Sequence, residues 1–108
     1  MKLLTKTIEN SLPALYSQDG KGMDATVYVK YFCLKNNWRW YGTEYDPETK
    51  EFFGFVAGDF HELGYFSLAE FEEINAKSAY PIMEREIYFT KKPLKEALVA
   101  DGYNQYKE

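Results

Sequence analysis

The sequence predicts an α+β domain, built as a small antiparallel sheet of four or five strands with short helices on one face. Three observations predict it. Trp38 to Leu68 is dense in rings, among them Trp38, Trp40, Tyr41, Phe52, Phe55 and Tyr65, set in short runs between turn signals. Such runs suit pleated backbone. Ser67-Leu68-Ala69-Glu70 has the spacing of a helix-starting capping box. The elements also run helix, strands, helix, strand, helix, which is not the alternation of a parallel wound sheet. At 108 residues the chain has the length of one domain, residues 1–108, with one core.

Thr5 is placed to cap a helix over residues 6–11, and Pro13 stops it because its ring cannot continue the ladder. Ser17 to Gly22 is a polar, glycine-bearing loop. Residues 25–34 read as the first strand, with Val27, Val29, Tyr31 and Cys33 on one side and Tyr28, Lys30 and Phe32 on the other. After Asn36-Asn37, residues 38–45 form the second strand. Trp38, Trp40, Gly42 and Glu44 share one face there, and Arg39, Tyr41, Thr43 and Tyr45 the other.

Asp46-Pro47-Glu48-Thr49-Lys50 makes a hairpin, since Asp suits its opening position and Pro presets the next backbone angle. The third strand covers residues 51–58 and the fourth 63–66, with the loop Asp59-Phe60-His61-Glu62 between them. Phe66 and Phe71 stand at staple positions around the Ser67 cap, and Leu68, Phe71 and Ile74 form the inward stripe of a helix over 68–75. Tyr80-Pro81-Ile82 is extended, and residues 86–89 read as the last strand. Thr90 is expected to cap a helix over 93–99 with Leu94, Ala97 and Leu98 inward, ended by Asp101-Gly102. The tail from Tyr103 to Glu108 is expected to fray.

Composition narrows the function. A net charge of −4, with Arg39 and Arg85 the only arginines, disfavours nucleic acid as a partner and leaves basic proteins open. Lys91, Lys92 and Lys95 form a small positive patch that reads as a solvated helix start. Cys33, the lone cysteine, reads as a small buried hydrophobe, and with His61 the only histidine no zinc site is expected. No phosphate loop, nucleophile elbow or zinc-protease helix occurs, so no catalytic residue, metal or cofactor is assigned. No apolar run is long enough to span a bilayer and the start lacks a signal core, so the expected location is cytoplasmic, away from the membrane.

In Met1-Lys2-Leu3-Leu4-Thr5 with Leu12-Pro13 and Leu15-Tyr16, then in Trp40-Tyr41-Gly42-Thr43-Glu44 and Phe52-Phe53-Gly54, the chain resembles the uncharacterised bacterial family DUF2958. The likeness continues through Glu62-Leu63-Gly64-Tyr65-Phe66-Ser67-Leu68 to Pro81-Ile82 and Glu86-Ile87-Tyr88-Phe89. The resemblance implies cargo of plasmids, phages and integrative elements, with a role in element maintenance or against host defence. It implies no catalytic residue.

The candidate binding residues are Trp38, Trp40, Tyr41, Glu44, Asp46, Glu62 and Tyr65, an aromatic anchor among acids of the kind that protein interfaces use. Read this way, the chain is a non-enzymatic accessory protein binding a protein of the host or of the element, and its edge strands leave a homodimer open. Two alternatives compete. Tyr28, Trp38, Trp40, Phe52 or Tyr65 could stack unpaired bases. Glu44, Asp46 and Glu62 could hold a divalent cation for hydrolysis, which requires the fourth strand to return beside the second.

Overall fold

Three successive antiparallel hairpins form the centre of the fold. The computed structural model describes residues 2–107; Met1 of the opening motif and Glu108 of the tail lie outside them. Strand β1 (Thr26–Val27) is followed by β2 (Val29–Cys33), β3 (Arg39–Asp46), β4 (Glu51–Ala57) and β5 (His61–Ser67). At the β3–β4 turn Asp46 Oδ1 accepts from the Glu48 N–H at 3.0 Å, as expected of an opening aspartate. Strands β6 (Met83–Arg85) and β7 (Lys92–Pro93) complete the set. The five-stranded sheet is antiparallel throughout, in the order β5-β4-β3-β2-β6, and β1 pairs with β7 apart from it. The α+β class and the antiparallel sheet are as the sequence predicts.

The helices, however, lie on both faces. Helix α1 (Lys6–Ser11) and helix α2 (Leu68–Ala76) cover one face, where Tyr31, Tyr45, Phe52, Phe66 and Phe71 pack together with Ile8 against them. Helix α3 (Leu94–Ala100) covers the other, where Val27, Tyr41, Phe55 and Ala57 meet Leu94, Ala97 and Leu98. The physical reason is that β3 and β4 are ring-bearing on both sides, so one covered face would leave Tyr41 and Phe55 in water. Gly54 lets the two strands meet: a Cβ there would stand 1.8 Å from the Tyr41 carbonyl oxygen.

Local signals place the helices well. Thr5 Oγ1 accepts from the Ile8 N–H, and Ser67 Oγ from the Glu70 N–H, both at 3.2 Å. The Phe66 and Phe71 rings stack 5.9 Å apart as a staple. Gly102, at φ 93°, ends α3 in a Schellman motif, with Tyr103 N–H donating to Leu98 O and Gly102 N–H to Val99 O.

Several expectations are corrected. The single first strand is broken at Tyr28, which places Val27 and Val29 in opposite clusters. A bulge between Gly42 and Glu44 shifts the alternation in β3, so Glu44 joins the Tyr41 face and Tyr45 the Trp40 face. The last sheet strand is residues 83–85, not 86–89. Asn75 fixes it, accepting from the Ile82 and Met83 N–H groups and donating to Met83 O. Ile74 of α2 is 41% exposed rather than inward. Thr90 caps nothing at α3, because β7 precedes the helix and Ala25 O already takes the Leu94 N–H. The tail docks instead of fraying: Tyr103 and Tyr106 pack on the α3-side cluster, and the Tyr106 hydroxyl lies 2.9 Å from His61 Nδ1.

Candidate functional site

Glu44 sits in the bulged end of β3 and is only 3% exposed. Its Oε1 accepts from the Tyr16 N–H at 2.8 Å and its Oε2 from the Gln18 N–H at 2.7 Å. Gln18 extends the clasp: its Nε2 donates to the carbonyls of Thr26 and Thr43, and its Oε1 accepts from the Thr26 N–H. A buried carboxylate is tolerated when main-chain donors replace its water, and here they do. A cleft of about 320 Å³ under this loop is lined by Gln18, Gly20, Glu44, Phe53 and Leu63. Glu44 at its wall is committed to the backbone, so it acts as a bolt holding residues 16–18 to the sheet.

A second polar cluster escaped the sequence reading. Lys30 is buried in β2 and donates to Asp101 Oδ1 at 2.8 Å, while the Tyr41 hydroxyl donates to Asp101 Oδ2 at 2.6 Å. Arg39 Nη1 donates to the Tyr103 hydroxyl at 3.0 Å, alongside. Asp101 ends α3, where the helix dipole disfavours an anion, and the Lys30 ammonium offsets that field. A lysine inside the apolar run of β2 was the available signal, since buried lysines need a partner.

Burial, and then the hydrogen bond to Asp101, push the Tyr41 pKa far up. Burial does the same to Tyr31, whose hydroxyl donates to Leu3 O. The folded state therefore holds both phenolic protons more tightly than the unfolded chain, where tyrosine titrates near 10.0. Their contribution is whole below that pH and is lost above it. Urea unfolding should show stability falling by up to about 1.4 kcal/mol per pH unit for each tyrosine above pH 10, with a shallower fall in Tyr41→Phe. A flat response through the same range contradicts this.

The remaining expected site residues are scattered. Trp40 packs on Phe71, their centroids 5.0 Å apart, and Trp38 lies 5.9 Å from Trp40 on the same side. Tyr41 is fully buried on the α3 side, and Asp46 is used in its turn. Glu62 points from β5 to the α2 side, since it pairs with Val56, whereas Glu44 lies on the α3 side. Strand β5 lies beside β4 and not beside β3. Glu44, Asp46 and Glu62 thus do not meet, and among the described residues no group of three or more potential ligands could hold a metal ion.

Tyr65 and Glu62 are the expected residues left exposed, and Tyr65 opens onto a surface the sequence reading did not assemble. Strand β5 is an edge of the sheet, and on its α3 side Leu63 is 46% and Tyr65 49% exposed, while Phe60, in the bend before the strand, is 82% exposed. From Glu51 to Ala76 the chain carries Glu51, Asp59, Glu62, Glu70, Glu72 and Glu73 and no lysine or arginine. Lys50 and Lys77 from outside answer Glu72 and Glu73. Glu51, Asp59, Glu62 and Glu70 form no salt bridge with a described residue and flank β5 at its ends and middle. A side-chain hydrogen bond with Tyr16, ahead of burial and the charges of Tyr16, Glu51 and Asp19, raises the Tyr65 pKa to about 12. In the expected cationic patch Lys91 lies over Tyr28, Lys92 over Phe89, and Lys95 pairs with Asp24.

No helix among the described residues is long and apolar enough to cross a membrane. Residues 3–100 match the family described as "Protein of unknown function (DUF2958)". No curated protein matches the chain, and no solved structure does.

Proposed function

We propose that this chain, which belongs to the DUF2958 family, is a non-enzymatic protein-binding accessory factor of a mobile genetic element. It would act in the cytoplasm on a basic protein of the host or of the element. The observation that carries this reading is the acidity of the β4–β5–α2 half along an edge strand that exposes Leu63 and Tyr65 on its α3 side and Glu62 on its α2 side. Apolar contact area bordered by charge of one sign suits an interface, and the field speeds encounter with a partner of opposite sign.

The stacking alternative has less to work with. Phe52 is fully buried, and helices cover the sheet on both faces, so the rings offer no continuous platform for bases. Pull-down at low salt should retain a stoichiometric basic protein on the wild-type chain and lose it on a folded Glu62→Lys, Glu70→Lys double variant. Equal retention by both, or no partner in the host that carries the element, counts against the proposal.

A further inference from the structure

We infer that the acidic edge binds its partner by strand addition, β5 taking up an extended segment in which apolar and basic residues alternate. This rests on the protein-binding reading above and deepens it. The hydrogen-bond phase of β5 follows from the rungs at its two ends. Leu68 N–H donates to Lys50 O at 2.9 Å and Gly58 N–H to Phe60 O at 3.2 Å, and both belong to the register that pairs Glu51 with Ser67 and Ala57 with His61. Alternate residues of an antiparallel pair exchange bonds, so Glu62, Gly64 and Phe66 spend theirs on β4. His61, Leu63, Tyr65 and Ser67 turn their N–H and C=O groups outward, and no described residue takes those of Leu63 or Tyr65.

Nothing along β5 hinders pairing. It spans seven residues without proline, lysine or bulge, whereas β6 at the opposite edge has only three. The side chains specify the guest. Residues of an added strand facing Leu63 and Tyr65 meet apolar surface on the α3 side. Those facing Glu62 and Gly64 lie on the α2 side, where Gly64 leaves open space and a long cationic side chain can cross it to Glu62. A second copy is the poorer guest. Self-pairing about Gly64 sets Glu62 opposite Phe66 of the other copy, where it meets no cation, and doubles the acidity of the edge.

The test is a synthetic octapeptide alternating lysine and valine, titrated onto the whole chain with amide exchange followed by NMR. Binding should slow exchange at Leu63 and Tyr65 by about tenfold or more. N-methylation of the peptide's β5-facing amides should abolish it. Leu63→Pro should abolish it too, because it removes an outward donor and no β4 rung, a place where an edge strand accepts proline. If that variant fails to fold, the methylated peptide still decides. Binding that ignores methylation and Leu63→Pro but falls with Glu62→Lys overturns strand addition and leaves the acidic-surface reading standing. No binding at all, at low salt, overturns strand addition, and the pull-down above still decides the acidic-surface reading. A wild-type dimer that dissolves in Leu63→Pro overturns the heterologous guest in favour of a second copy.

Discussion

Glu44→Ala should cost about 3–5 kcal/mol of stability, more than any other single acid in the chain. The variant strands the Tyr16 and Gln18 N–H groups that now bond a carboxylate at 2.8 and 2.7 Å. Charge-assisted bonds contribute about 1.5–3 kcal/mol each, and an unsatisfied buried donor costs about 1–3. The loop can open to water instead, and that caps the loss at the free energy of local unfolding. Exchange at residues 16 and 18 should then accelerate before the sheet melts. Glu44→Gln keeps one acceptor and should lose less, while Glu62→Ala on the open surface should stay within about 0.5 kcal/mol of wild type. Urea unfolding decides. A Glu44→Ala chain as stable as Glu62→Ala would show that the clasp does not hold the loop.

Asp101→Ala ranks next, at about 3 kcal/mol. It leaves the Lys30 ammonium nearly buried without a counter-charge and the Tyr41 hydroxyl without its acceptor. Breaking one side of a buried pair is costly, since the orphaned charge stays desolvated. Replacing both charges is milder, so Lys30→Met with Asp101→Asn should recover part of what Asp101→Ala loses. The double-mutant cycle should give a coupling of about 1–3 kcal/mol. Additive effects would mean that Lys30 and Asp101 do not act as a pair.

The clasp was not legible in the sequence, and of the pair only Lys30 in the apolar run of β2 gave a signal, although much of the local structure around them was. The capping of α1 and α2, the β3–β4 hairpin, the inward stripe of α3 and its glycine end all rest on residues close in sequence. Their physics is local, and they stand where the pattern puts them. The face on which Glu44 lies depends on one extra residue at the bulge, which inverts the alternation beyond it. Whether Glu44 meets Glu62 depends on strand order, which alternation does not encode. The last sheet strand sits where the Asn75 side chain binds the backbone at Ile82 and Met83, a contact no propensity reports. Tyr65 and Glu62 could be chosen from ring and charge content. Leu63 could not, because its importance lies in outward main-chain groups that only the register reveals.

Site-directed photocrosslinking tests the binding surface most directly. A photoreactive phenylalanine analogue replaces either Leu63, on the acidic edge, or Tyr88, 86% exposed on a turn outside that edge. In cells carrying the element, position 63 should yield one discrete adduct with a basic protein, lost when Glu62 and Glu70 are both reversed to lysine, and position 88 should yield none. An adduct from position 88 with none from 63, or one from 63 indifferent to the charge reversals, would contradict binding through the β5 edge.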